Sequence, residues 1–361
     1  MICRACGRAG GRDDVVLDLG EQPITQHLPD PADPGPDPRA PLAMWCCRGC
    51  GLAQLAGEVD PGPEVVGVEP TAVRDLARSA LADAGERGLL DGATVREFGS
   101  PHGGTWLDLL PGHRVVTDGV AEVVIDSLGL MHEPDQARAA GRLAAALAPD
   151  GTALVQFHDL AAIAEQRQWN ALRHGHYAYY SATALVRLLG AAGLVPIHAL
   201  RHDLYGGSVV LALRHRAAAH PLDGSVAELV ARDAALGITE PAALAGMGAA
   251  AAESVRRLRR HLAARRAAGD RVVAYGAASR AVALFAMAGV GAGQVLAVGD
   301  ASPGKQGRAL PGSRIPVVAP ERLADLAPDE VLVTIPELLV ELAAARPELA
   351  DRLVRLDRVD D

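Results

Sequence analysis

The stretch TVREFGSPHGG at residues 94–104 decides the fold, together with EVVIDSLGLMHEPD at 122–135 and TALVQFHD at 152–159. Short apolar runs alternate with a helical pattern over Gln136–Leu147, and a glycine-rich turn follows the first run. This is the grammar of a doubly wound α/β sheet, in which crossover helices bring successive strands back in parallel. HRVVTDG (113–119) supplies a further strand, yet only a few residues separate it from the strand that begins near Glu122. A parallel crossover takes a dozen or more residues and a βαβ unit about 30, so no crossover helix fits there and this sheet is expected to be shortened.

A second α/β unit lies toward the C-terminus, with strands near Arg271–Tyr275, Val295–Val298 and Val331–Thr334. Its turn YGAASR (275–280) leads into a helix whose free N–H groups and dipole favour an anion. DASPGKQGRALPGSRIP (300–316) adds glycine turns and Lys305, the only lysine of the chain, near the same sheet edge. Val226–Ala268 reads as long helices whose arginines make a solvated face. At the other end, two C-x-x-C knuckles, Cys3/Cys6 and Cys47/Cys50, are each followed by a glycine, Gly7 and Gly51. Four thiolates close a tetrahedral, structural zinc site with no open position. Glycine permits the tight turn each knuckle needs. Pro29–Pro41 is the loop between the two halves, and Cys46 reads as a packed thiol. The expected organisation is a zinc-binding lobe (1–57), a shortened α/β domain (58–215), a helical connection (216–268) and a C-terminal Rossmann-like domain (269–361).

Composition narrows the function. With 49% hydrophobic and 22% charged residues among 361, the chain is a folded protein with sizeable cores. A net charge of −9 argues against nucleic acid and acidic membranes as partners. No apolar run is long enough to span a membrane, and MICRACGRAG lacks the apolar core of a signal peptide, so a cytoplasmic protein is expected. All cysteines lie at or before Cys50, which suits a metal site better than a disulfide framework. Nothing here speaks to oligomeric state. The single asparagine, Asn170, and the five tyrosines, confined to three short segments, stand out in a chain rich in Ala, Arg and Gly.

The paired knuckles with LGEQPI (19–24) between them, EFGSPHGG (97–104), HGHYAYYS (174–181), YGGS (205–208), YGAASR and DASPGKQGRALPG (300–312) together resemble the sugar C-methyltransferases of deoxysugar biosynthesis. The resemblance spans nearly the whole chain. It implies a zinc lobe, a methyltransferase-like middle and a C-terminal α/β domain acting on a nucleotide-linked 4-keto-6-deoxy sugar. The family removes a proton from the carbon beside the ketone and transfers a methyl group from S-adenosylmethionine onto the enolate. By position the base is His176. His132, at the carboxyl edge of the sheet, is implied to stabilise the enolate oxygen. Glu97, Gly99 and Gly103 match the glycine motif of the donor site.

Departures from the family pattern shift the expectation. Gly175 and Arg173 stand where the family has Glu and Tyr, and no tyrosine precedes Tyr177 to form the loop that approaches the donor. Pro101 and His102 replace a small polar and an acidic residue. The ribose-binding strand looks absent, with Asp118 as the other candidate for the ribose acid. Tyr205 replaces the histidine of the family's HGGS turn and competes with Tyr179 and Tyr180 for the role of second acid. Arg280 replaces a lysine and, with Lys305, is expected at the diphosphate. Tyr275 either stacks on the base or packs in the strand. Asn170, Arg173 and His174 complete the expected substrate contacts, with His102 and His158 in second rank.

The sequence-based expectation is therefore a nucleotide-ketosugar epimerase that works without S-adenosylmethionine, by His-mediated proton removal and return. The alternative is a donor-dependent C-methyltransferase on the same substrate class, and a third reading is a non-catalytic binding protein of this fold.

Overall fold

The computed structural model describes residues 1–359 apart from Pro34, which belongs to the expected proline-rich loop, and Glu64. The N-terminal lobe is built on β1 (Val15–Pro23), β2 (Arg39–Cys46) and β3 (Ala53–Leu55), paired antiparallel in that order. Alternation along β1 and β2 turns Leu17, Leu19, Leu42 and Met44 into the core. Burying each such side chain contributes about 1.5–3 kcal/mol.

The middle domain runs α1 (Thr71–Glu86), β4 (Thr94–Gly99), β5 (Arg114–Val115), β6 (Ala121–Ser127), α2 (Gln136–Ala146), β7 (Leu147–His158), α3 (Leu160–Glu165), β8 (Ala178–Tyr179), α4 (Ala182–Ala191), β9 (Leu194–His202) and β10 (Ser208–His215). Its sheet has the order β5-β4-β6-β7-β10-β9, parallel from β5 to β7, with β10 antiparallel to both its neighbours. Val123, Val124 and Ile125 of β6 are wholly buried, as a strand covered on both faces requires. In α1, Val73, Leu76, Ala77, Ala80, Leu81 and Ala84 fall at three- and four-residue spacing on the face turned to the core. Asp135 caps α2 by accepting from Arg138 N at 2.9 Å.

The expected shortening is present. HRVVTDG contributes only the two residues of β5, and residues 116–120 join β5 directly to β6. Between β4 and β5 the only helical element is the single turn Leu107–Leu109. β8, although within the middle domain by sequence, pairs with β3 of the zinc lobe, Ala53 opposite Tyr179 and Gln54 opposite Ala178.

α5 (Ser225–Leu236) and α6 (Met247–Ala268) form the helical connection. α6 is more than a solvated face, because Val255, Leu258 and Leu262 share one core with Leu17 and Leu42 of the zinc lobe and Val272 of the next domain. That domain contains β11 (Val272–Tyr275), α7 (Ser279–Ala288), β12 (Val298–Gly299), β13 (Val317–Val318), α8 (Arg322–Asp325), β14 (Glu330–Val333), α9 (Leu338–Ala345) and β15 (Leu353–Arg355). All its strands are parallel, in the order β13-β12-β11-β14-β15, so β11 is the point where the winding reverses and where such sheets take ligands. Among the described residues no helix is long and apolar enough to cross a membrane.

Candidate functional site

Cys3, Cys6, Cys47 and Cys50 converge, with Cys3 Sγ 3.5 Å from Cys50 Sγ and Cys6 Sγ 3.7 Å from Cys47 Sγ. Zn–S bonds of about 2.3 Å in a tetrahedron separate the sulfurs by about 3.8 Å, so the four thiols fit zinc. Gly7 and Gly51 adopt φ of +71° and +79°, and their amides return to the carbonyls of Cys3 and Cys47. The contact with the Cys50 sulfur and the hydrogen bond donated by the Gln54 amide hold Cys3 down to about 4 against the effect of burial. Cys46 lies outside the cluster with its thiol 3.5 Å from the Thr239 carbonyl, and burial pushes it up to about 12.

This lobe positions the candidate base. The strand after Cys50 is β3, which holds β8, and Leu55 N donates to the carbonyl of Tyr177 at 3.2 Å. Arg4, between the first two cysteines, lies 4.8 Å over the Tyr177 ring and donates to the Pro134 carbonyl. Tyr177 N donates to Met131 O at 2.8 Å. His176 is thereby fixed between the zinc knuckles and the turn after β6 that carries His132.

His176 faces a cavity of about 280 Å³ between the carboxyl edge of β4 and β6 and that of β11 and β12. Both its ring nitrogens are buried without a hydrogen-bond partner. Burial, and then the charge of Arg173, pushes it well below its ordinary 6.5, which leaves a neutral imidazole with a lone pair. His132 and His102 stand at ring-centroid distances of 4.7 and 6.0 Å from it. His132 Nδ1 is 3.0 Å from the Gly175 carbonyl, which can only accept, so the proton of this contact is on Nδ1. At Gly175 φ is +86°, a conformation that favours glycine, and a Cβ there would lie 2.5 Å from Gln26 Nε2.

Arg173 is buried and links the two α/β domains. Its Nη1 donates to Ser279 Oγ at the start of α7 (2.7 Å), Nη2 reaches His102 Nε2, and its backbone N donates to the Tyr179 hydroxyl. Tyr205, also in the cavity lining, takes a left-handed φ of +53°, a conformation that costs a non-glycine residue about 1–3 kcal/mol and gathers at functional sites. Its ring lies 5.1 Å from His158 and 5.4 Å from the Arg280 guanidinium, and burial pushes its phenol up to about 12. Burial and the charge of Arg280 hold His158 down to about 3. Gly276, Tyr275, Arg280 and Lys305 complete this wall.

Several expected contacts fall elsewhere. His174 is wholly buried and bonds the Pro41 carbonyl through Nε2, so it ties the turn to β2 and does not line the cavity. Asn170 is also outside the lining, in the turn Trp169–Ala171. Tyr180 does line the cavity, but its hydroxyl proton is given to Gln136 Oε1, which ties that phenol to the core. Lys305 lines the cavity and also holds the turn after β11, because Nζ bonds Asp300 Oδ2 at 3.2 Å and the Ala277 carbonyl at 3.1 Å. His102 and His158, ranked second from sequence, are in the centre, because their places at the ends of β4 and β7 follow from the sheet rather than from spacing.

The donor half fits S-adenosylmethionine only after rearrangement. Glu97 is occupied within the loop by Thr105 Oγ1, Trp106 N and Ser127 Oγ, and Gly99 lies in the strand outside the lining. Gly103 does line the cavity, but a Cβ there would lie 2.8 Å from Val66 Cγ1, and one on Gly104 would strike Glu69. The segment 65–70 is strapped across this loop, with Gly67 N bonded to His102 O (2.7 Å) and Val68 N to Ser302 Oγ (3.0 Å). Asp118 is exposed and away from the cavity, which removes it as a ribose acid. Ser127, Leu128 and Met131 line the cavity beside this loop.

Three family profiles match in chain order: a zinc binding domain (residues 3–63), a methyltransferase domain (46–199) and a C-methyltransferase C-terminal domain (203–356). The C-methyltransferase NovU of Streptomyces niveus is 30% identical over 375 residues, covering 92% of this chain and 88% of that protein. Among solved structures, the 1,6-didemethyltoxoflavin-N1-methyltransferase of Burkholderia thailandensis, with S-adenosylhomocysteine bound, is 16% identical at a TM-score of 0.28. It covers 45% of this chain and 95% of its own. Magnesium protoporphyrin IX methyltransferase of Synechocystis, also with S-adenosylhomocysteine, is 13% identical at 0.31, covering 40% and 84%. Those two scores are too low to add to the topology described above. The kinship with NovU is of another order, and a match that runs from the first cysteine pair to the last strand makes this chain a member of the C-methyltransferase family.

Proposed function

We propose that the chain removes the proton beside the ketone of a nucleotide-linked 4-keto-6-deoxy sugar and acts on that carbon as a C-methyltransferase. The observation that carries the reading is His176, a neutral imidazole with both nitrogens buried, unpartnered and facing the cavity. A base held at a C–H in this way contributes about 10²–10⁴ in rate. As the C–H bond breaks, its proton goes to His176 and its electron pair to the enolate, whose oxygen gains charge beside the Arg173 guanidinium. Arg280 and Lys305, on the opposite wall, suit the diphosphate of the substrate. Kinship with NovU supports methylation as the enolate's fate, and S-adenosylmethionine supplies the methyl group when bound.

A second reading, return of a proton to the other face without the donor, is favoured by the strap over Gly103 and Gly104 and by the lost crossover. Tyr205, in the same lining and protonated at neutral pH, then serves as the acid. Proton NMR with a panel of nucleoside-diphosphate 4-keto-6-deoxy sugars in deuterated buffer, with and without S-adenosylmethionine, separates the two. A new methyl signal that needs the donor supports methylation. Donor-independent α-deuteration with altered couplings, and no methylation, supports epimerisation. His176→Ala is expected to slow α-deuteration at least about 100-fold. No exchange with any member of the panel would remove both readings.

A further inference from the structure

We propose that His102, His132 and His176 form a second metal site, which takes one divalent transition ion of the zinc and cobalt class. One nitrogen from each ring lies within 4.8 Å of the other two. Zn–N bonds of about 2.0 Å in a tetrahedral shell place nitrogens about 3.3 Å apart, so closing the site needs side-chain movement of about 1 Å. Two further features point to a ligand. His176 brings two buried nitrogens without a hydrogen-bond partner. His132 donates from Nδ1 to the Gly175 carbonyl, the outer hydrogen bond that typically orients a metal-bound imidazole and leaves Nε2 as the ligand atom.

The three rings come from the loop after β4, the turn after β6 and the turn before β8, so the site exists only in the folded chain. Its all-imidazole donor set suits zinc, cobalt or nickel and differs from the four thiolates of the lobe. Three protein ligands leave one position open to the cavity. Arg173 sets the affinity, because its guanidinium bonds His102 and repels a second cation there. If the reading of His176 as the base is correct, an ion on its lone pair blocks proton removal.

The test uses the folded protein with its lobe zinc in place, titrated with cobalt(II). The expected result is one cobalt per chain beyond the lobe metal, with the comparatively intense visible d–d bands of a four-coordinate ion and no sulfur-to-cobalt charge transfer. His176→Gln and His102→Gln should each lose that cobalt while keeping the lobe zinc, which reports that the variants fold. Arg173→Gln should tighten binding about tenfold by removing the like charge. Saturation of the wild type with no added cobalt, or unchanged uptake in both histidine variants, would overturn the proposal. Uptake is read without substrate, so a failure of the ketosugar reading leaves this result standing. Cobalt that binds without slowing α-deuteration would overturn the blocking step alone.

Discussion

Asp126, at the end of β6, is a buried carboxyl, pushed up from 3.8 to about 7 by loss of hydration despite the N–H of Leu130. Between about pH 4 and 7 the folded chain keeps this proton while the unfolded chain releases it, so stability falls as pH rises through that window. Above it the ionised group costs the fold at most about 4 kcal/mol. Asp126→Asn, whose amide oxygen still accepts from Leu130, should gain stability over the wild type progressively from pH 4 to 7 and hold that gain at pH 8. Urea unfolding across this range checks it, and a pH-independent difference would refute it. At this scale the sequence was partly legible. The cysteines could be read because C-x-x-C spacing is local, and His176 and His132 through resemblance of their surrounding motifs. The tie of Lys305 to Asp300 was hidden by a five-residue separation that no secondary-structure period marks.

Among the elements, β11 and the turn after it shape the cavity wall that carries Arg280. Gly276 has φ of +92°, and a Cβ there would lie 2.6 Å from Thr334 Oγ1, whose hydroxyl donates to the Gly276 carbonyl. Gly276→Ala should therefore cost about 1–3 kcal/mol and weaken nucleotide binding by shifting Arg280. Thermal unfolding together with calorimetric titration of a nucleoside diphosphate measures both, and an unchanged pair would show that the turn tolerates a side chain. The β–α alternation was legible because long apolar runs and helical spacing carry it, and α2 begins at the expected Gln136. β8 was not, since a two-residue strand has no periodicity. The expected strand Val295–Val298 begins late in the ladder, but Leu296 N already bonds β11 at Val272 O.

Across the whole molecule, the zinc lobe acts as a strut for chemistry that sits outside it. Removing zinc with a chelator should free the knuckles, release β3 from β8 and let the His176 turn relax. The expected outcome is loss of α-deuteration and faster amide exchange at 178–180, with β14 still protected. Retained exchange activity in zinc-free protein would refute the strut. The order of the domains was legible in the sequence, whereas their interlock was not, because the strap at 65–70 and the core shared by α6, β1 and β11 depend on contacts between distant segments.

The β3–β8 pairing also bears on how such a chain can be recombined. His176, the proposed base, belongs by sequence to the methyltransferase-like domain, yet the strand that follows it, β8, is an edge of the lobe's sheet. A chimera that joins this lobe to a relative's catalytic domain near residue 57 would put two unmatched parents into one ladder. A crossover that takes residues 1–57 and 173–181 from the same parent keeps that ladder whole. The unit of inheritance for the active centre is thus split in the gene and single in the fold.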